Sequence, residues 1–129
     1  MKILFVEDDD EKSSKISEFL NKTFAKPIIT IKKSYHSGLT ELVSSSHYDF
    51  VLMDMSMPNF DVTVDDPEGG SPESFAGRKL LEQMKFRYID YPTIVITQYA
   101  SFGEYVEKLS LSELIEELKN KYTPIYRST

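Results

Sequence analysis

The sequence has no cysteine, which excludes disulfides and thiolate metal sites together. Its two histidines, His36 and His47, are too few and too scattered for a metal or phosphohistidine site and read as surface residues. No apolar run approaches the length of a membrane span. The N-terminus lacks a signal-peptide pattern, because Lys2-Ile3-Leu4-Phe5-Val6 is too short and runs straight into acids. A surplus of bases is missing as well. Fifteen Lys and Arg stand against 21 Asp and Glu, a net charge of −6, which argues against a general nucleic-acid binder. Neither an internal repeat nor a low-complexity tract appears. A cytoplasmic protein with no membrane partner fits these absences.

What is present suits one compact domain over residues 1–129, standing alone or as a piece of a longer protein. Apolar residues make up 40% of the chain and charged ones 28%, too apolar for disorder. Short apolar runs alternate with segments of helical period, the βαβα pattern of a helix-covered parallel sheet. Ile3-Leu4-Phe5-Val6 reads as a strand buried on both faces and ends in Glu7-Asp8-Asp9-Asp10. Ile16, Phe19, Leu20 and Phe24 then line one helical face, capped by Asp9 or Asp10. Ile28 to Ile31 form the second strand. A shorter helix starting near Ser37 carries Leu39, Leu42 and Val43.

Phe50-Val51-Leu52-Met53 is the third strand and runs directly into Asp54. The polar stretch from Asn59 to Ser74 reads as a long loop. Leu80, Leu81 and Met84 mark the third helix, and Thr93 to Thr97 the fourth strand. Ser110 and Glu113 form a capping box before a stripe of Leu111, Leu114, Ile115, Leu118 and Tyr122. Pro124 stops that helix and leaves Ile125-Tyr126-Arg127 as a short fifth strand, with no fifth helix after it.

In an open parallel sheet, ligands bind at the carboxyl ends of the strands. Glu7 and Asp8 end the first strand, Asp54 the third and Thr97 the fourth. If these strands are neighbours, three carboxylates and a hydroxyl converge on one crevice. Such a cluster repels itself, and Mg²⁺ is the hard, oxygen-seeking cation that relieves it. Taken singly the residues have plainer roles: Asp8 to Asp10 as helix caps, Asp54 as a turn residue. Their coincidence at three strand ends favours a site. The loop acids Asp61, Asp65, Asp66 and Glu68 lack the spacing of a calcium loop and read as solvated.

Ile3 to Asp9, Tyr48 to Pro58 and Ile94 to Thr97, with Gly77 before Leu80-Leu81, resemble the receiver domains of two-component response regulators over about the first hundred residues. Each motif is weak alone; in this order and spacing they are strong together. The resemblance implies a flavodoxin-like doubly wound α/β fold with parallel strand order 2-1-3-4-5. It places Asp54 at the phosphoryl acceptor, Asp8 at the Mg²⁺-ligating acid and Glu7 at the second acid. Ser56 falls where a backbone carbonyl completes the metal site, and Thr97 where a hydroxyl bonds the phosphoryl group. It further implies a switch, not a turnover enzyme, with a histidine kinase or phosphotransfer protein as donor, a separate output partner and, in some members, a homodimer.

Three features depart from that family. Its lysine at the end of the fifth strand is missing, and Arg127 is the nearest basic stand-in, though a planar guanidinium does not replace a point charge. Gln98 stands where a small residue is usual. The loop after Pro58 is expanded and the region after Thr97 is remodelled or truncated. Tyr126 matches a family aromatic that changes rotamer, against the plainer role of a packing tyrosine. Two other functions compete: a pseudo-receiver that serves only as an interaction module, and a Mg²⁺-dependent phosphatase with an aspartyl nucleophile. The phosphatase ranks last, because Ser56 stands where such enzymes carry a second acid.

Overall fold

The computed structural model describes residues 1–70, 72–97, 101–102 and 109–129. The chain runs β1 (Lys2–Val6), α1 (Asp10–Thr23), β2 (Ile28–Lys32), α2 (Tyr35–Leu42), β3 (Phe50–Asp54), β4 (Met57–Pro58) and β5 (Pro72–Glu73). It continues with α3 (Ala76–Phe86), β6 (Thr93–Ile96), β7 (Ser101–Phe102), β8 (Leu109–Ser110), α4 (Leu111–Tyr122) and β9 (Tyr126–Ser128). Five parallel strands form the main sheet in the order β2-β1-β3-β6-β9. This is the 2-1-3-4-5 order once the small ribbons are set aside.

Side chains alternate across a strand, and β1 shows the result on both faces. Leu4 and Val6 join Val51, Met53 and Val95 under α2, α3 and α4, where Leu42, Leu80, Leu81, Leu114 and Leu118 are buried. Ile3 and Phe5 join Leu52 on the other face, under Leu20 and Ile16 of α1 and Phe24 at its C-cap. Phe19 does not share that stripe and is 64% exposed. Ile16 and Leu20 are spaced by four and follow one ridge of the helix, in line with Phe24 just past its end, which leaves Phe19 on its flank. Ile94, on the α1 side of β6, is 38% exposed.

The helix starts follow local chemistry. Asp9 caps α1 by accepting from the backbone N–H groups of Glu11 and Lys12. Ser34 and Ser37 form a reciprocal capping box, so α2 begins at Tyr35, ahead of the expected Ser37. Ser110 caps α4 through the Glu113 N–H, and its hydroxyl also donates to the Glu113 carboxylate at 3.0 Å. Thr97 falls just beyond β6, and β9 is shifted by one residue from the expected Ile125–Arg127. Gln98 lies outside the described residues. Tyr126 is buried in the core and its hydroxyl bonds that of Thr129.

The stretch expected as plain loop is tied at its base, where β4 and β5 pair antiparallel. Within it the Phe60 N–H donates to the Gly69 carbonyl at 2.9 Å. Gly69 and Gly70 both hold positive φ, +68° and +76°, which suits residues without a Cβ. A second glycine constraint sits at the sheet. A Cβ on Gly77 lies only 2.7 Å from the Asp54 carbonyl oxygen and 3.1 Å from the Met55 Cα, while the Gly77 N–H donates to the Met55 carbonyl.

The contact at Gly77 gives a stability prediction. Gly77→Ala will push α3 away from the end of β3 and cost about 1–3 kcal/mol, the usual scale of overpacking. Urea unfolding should show a lower midpoint at an unchanged m value. An unchanged midpoint means the two backbones are not in close contact.

Candidate phosphoacceptor site

Two neighbouring strands build the site. Val6 of β1 is the register partner of Met53 of β3, so the residues that follow, Glu7 and Asp54, emerge side by side at the carboxyl ends. Asp54 is in turn the register partner of Ile96 in β6, and Thr97 follows at the same end of the sheet. Acceptor oxygens of Glu7, Asp8 and Asp54 lie within 4.8 Å of one another. Glu7 is 1% exposed and Asp54 6%, whereas Asp8 is open to solvent. The three acids line a cleft of about 310 Å³ with Ser56, Met57, Pro58 and the loop residues Glu68, Glu73 and Ser74.

Asp9 and Lys12 complete the wall. Lys12 has no part in the sequence expectations, yet its ammonium reaches from the first turn of α1 into the cluster. Nζ lies 2.8 Å from Glu7 Oε1 and 3.6 Å from Asp54 Oδ2, and it is shut off from solvent. The sequence holds a faint signal for this, since Lys12 is the first base after the acidic run. In a helix with acids at its start, it passes for a solvated i,i+4 partner. Arg127 does not reach the cleft. Tyr126 and Ser128 pair with Thr93 and Ile94, so Arg127 lies level with the start of β6 and not its end. It is exposed there and donates to the Pro124 carbonyl.

Several other polar groups at the cleft have partners. Asp54 Oδ1 accepts from the Met55 N–H at 2.8 Å, which leaves Oδ2 facing Lys12. Ser56 donates its hydroxyl to the Ser74 carbonyl, and Glu73 pairs with Lys79 at 2.7 Å. Asp61 sits away from the cleft, held below the usual carboxylate range by the hydroxyls of Ser34 and Ser37.

Burial dominates the protonation of the cluster. It raises the Asp54 carboxyl, with Lys12 and the Met55 N–H pulling the other way. Glu7 is raised by burial against the opposing bond to Lys12, and the Asp54 charge pushes it further up. Burial and the Glu7 charge raise Asp8. Lys12 loses by burial, but Glu7 and Asp54 more than offset that and hold its ammonium charged.

The donor set fits a small divalent cation. Carboxylates from two strand ends offer hard oxygens beside Ser56, and the open Asp8 leaves room for metal-bound water.

Comparison with known proteins shows the family. No protein-family model matches the chain. The Detocs response regulatory protein DtcB of Enterobacter cloacae is 32% identical over 127 residues, covering 98% of this chain and 85% of that protein. The chain therefore belongs to the response regulator receiver domains. An uncharacterized protein, y4jR, of Sinorhizobium fredii is 26% identical over 128 residues, covering 98% and 83%. Among solved structures, a receiver domain from Clostridium thermocellum aligns with a TM-score of 0.64 at 19% identity, over 99% of this chain and 81% of that one. The receiver domain of the Francisella response regulator 1452 gives 0.57 at 23%, over 99% and 83%. TrrA of Thermotoga maritima, solved with Mg²⁺ and a beryllium fluoride, gives 0.57 at 22%, over 77% and 70%. Among the described residues no helix is long and apolar enough to cross a membrane.

The raised carboxyls set a pH dependence. Between the ordinary carboxylate range and the raised values, the native state holds protons that the unfolded chain has released, so stability falls as pH rises. Asp54→Asn removes one such group. It should stabilise the metal-free protein, and by more at about pH 7.5 than at about pH 5. Urea midpoints at the two pH values measure this; an equal gain at both would show that Asp54 carries no raised carboxyl.

Proposed function

We propose that this receiver domain is a Mg²⁺-dependent phosphoacceptor, taking a phosphoryl group on Asp54 from a histidine kinase or phosphotransfer protein. The observation that carries this reading is the buried Asp54, with one oxygen tied to the Met55 N–H and the other facing the acid-lined cleft. Asp8, Asp54 and the Ser56 carbonyl are the metal's direct ligands in this reading, with Glu7 reaching it through water. The metal neutralises charge on the transferring group. Asp54 is the nucleophile, Thr97 beyond β6 contacts the bound phosphoryl group, and the tight Gly77 contact keeps the Asp54 backbone in place. The chain then works as a switch, its phosphorylated state shifting an equilibrium read by an output partner. The Mg²⁺ and beryllium fluoride bound by TrrA support the choice of metal.

One observation favours a second reading. Lys12 already compensates Glu7 and Asp54, so the cluster can persist without metal, as in a pseudo-receiver that serves only as an interaction module. Intact-mass spectrometry after incubation with acetyl phosphate separates the two. The phosphoacceptor gains one phosphoryl adduct that requires Mg²⁺ and is absent from Asp54→Ala. If neither acetyl phosphate nor beryllofluoride modifies the wild type, the interaction module is the better description.

A further inference from the structure

The phosphoryl group to be bound at Asp54 is an anion, and the cleft that must admit it is lined by six carboxylates: Glu7, Asp8, Asp9, Asp54, Glu68 and Glu73. Among the described residues Lys12 is the one cation in that wall. Its place is built. The Asp9 carboxylate accepts from the Lys12 N–H at 3.1 Å, which fixes the start of the side chain. The stem then runs inward, and the buried Nζ meets Glu7 and Asp54. Arg127, the alternative from the sequence, is bonded elsewhere.

Resting on the phosphoacceptor reading, we propose that Lys12 is a phosphoryl-binding residue, supplying from α1 the positive charge that stabilises the group transferred to Asp54. The two oxygens of Asp54 are not equivalent: Oδ1 is held by the Met55 N–H, and Oδ2 is the one Lys12 faces. When Oδ2 attacks a phosphohistidine donor, the new O–P bond forms as the P–N bond breaks. The electron pair of that bond goes to the imidazole nitrogen, which takes a proton from water. The phosphoryl oxygens then arrive on the Nζ side of Asp54. Lys12 keeps its three protons throughout and exchanges a contact with Glu7 for one with phosphoryl oxygen. Fixed charge aimed at a developing anion in a water-poor site is the usual source of such stabilisation. A flexible stem with a point charge suits an exchange of partners.

The test compares wild type, Lys12→Met and Lys12→Arg at saturating Mg²⁺, with circular dichroism as the check on folding. Phosphorylation by acetyl phosphate should slow by about 100-fold in Lys12→Met, the scale of losing one oriented donor, and recover only in part in Lys12→Arg, which keeps the charge but not the compact ammonium. Beryllofluoride affinity, read by ¹⁹F NMR, should fall in parallel. Mg²⁺ affinity, measured without any phosphoryl donor, should hold or tighten, because a competing cation has gone. Equal phosphorylation and beryllofluoride binding in wild type and Lys12→Met would overturn the proposal. So would a loss of Mg²⁺ affinity matching the loss of rate, which would make the effect one of metal binding. A measurement on the wild type alone covers the case where Lys12→Met does not fold. The Lys12 ¹⁵Nζ resonance should move on adding beryllofluoride beyond its position with Mg²⁺, and no further movement overturns the assignment. If the wild type takes neither acetyl phosphate nor beryllofluoride, the phosphoacceptor reading fails first and this inference falls with it.

Discussion

Glu7 and Asp54 are ionisable side chains buried at the ends of adjacent parallel strands, and the ammonium of Lys12 faces both. The rest of the cleft is arranged around that contact. Taking two carboxylates out of water is costly, and breaking a buried pair by removing one partner costs more than the pair itself contributes. The parallel register of β1 and β3 leaves no freedom to separate the acids, because it fixes which residues follow Val6 and Met53. The same burial that makes the acids costly leaves little of Asp54 open to water, on the side that faces the cleft. Stability and chemistry therefore pull against each other at one place in the sheet.

Around the contact, backbone does much of the positioning. The Met55 N–H orients Asp54, Gly77 lets α3 approach the end of β3, and Ser56 ties the strand end to the far side of the loop at Ser74. The loop is braced by its own ribbon and by His36 against Phe60, with ring centroids 5.2 Å apart. A loop that would otherwise be a solvated insertion thus becomes one wall of the cleft, and it brings Glu68 and Glu73 with it.

The sheet was legible in the sequence because buried parallel strands are short, continuous and apolar, and β1 and β3 are the plainest examples. The acids were legible because each follows such a strand directly. Other features left weaker marks. The ribbon strands are two residues long, too short for any period to register. The start of α2 depends on a Ser-to-Ser capping box, a pairing less familiar than Ser to Glu. Phe19 fits a helical stripe within a window of one turn and fails over three, since the ridge through Ile16, Leu20 and Phe24 passes beside it. Arg127 looked near the site only while the fifth strand had no register. Lys12 was hidden for the opposite reason: on an acidic first turn, nothing local distinguishes a lysine that turns inward from one that pairs outward.

Glu7 and Lys12 also lie within a single turn-and-strand junction of the chain. Their pairing closes a very short loop, which carries little entropic cost, and it needs only β1 and the first turn of α1 to be in place. Glu7 and its counter-charge therefore come on one contiguous segment, to which β3 adds Asp54. On β9, at the far edge of the sheet, the hydrogen bonds of Tyr126 and Arg127 stay local, to Thr129 and Pro124. The sequence of that strand can diverge without unbalancing the charges at the centre.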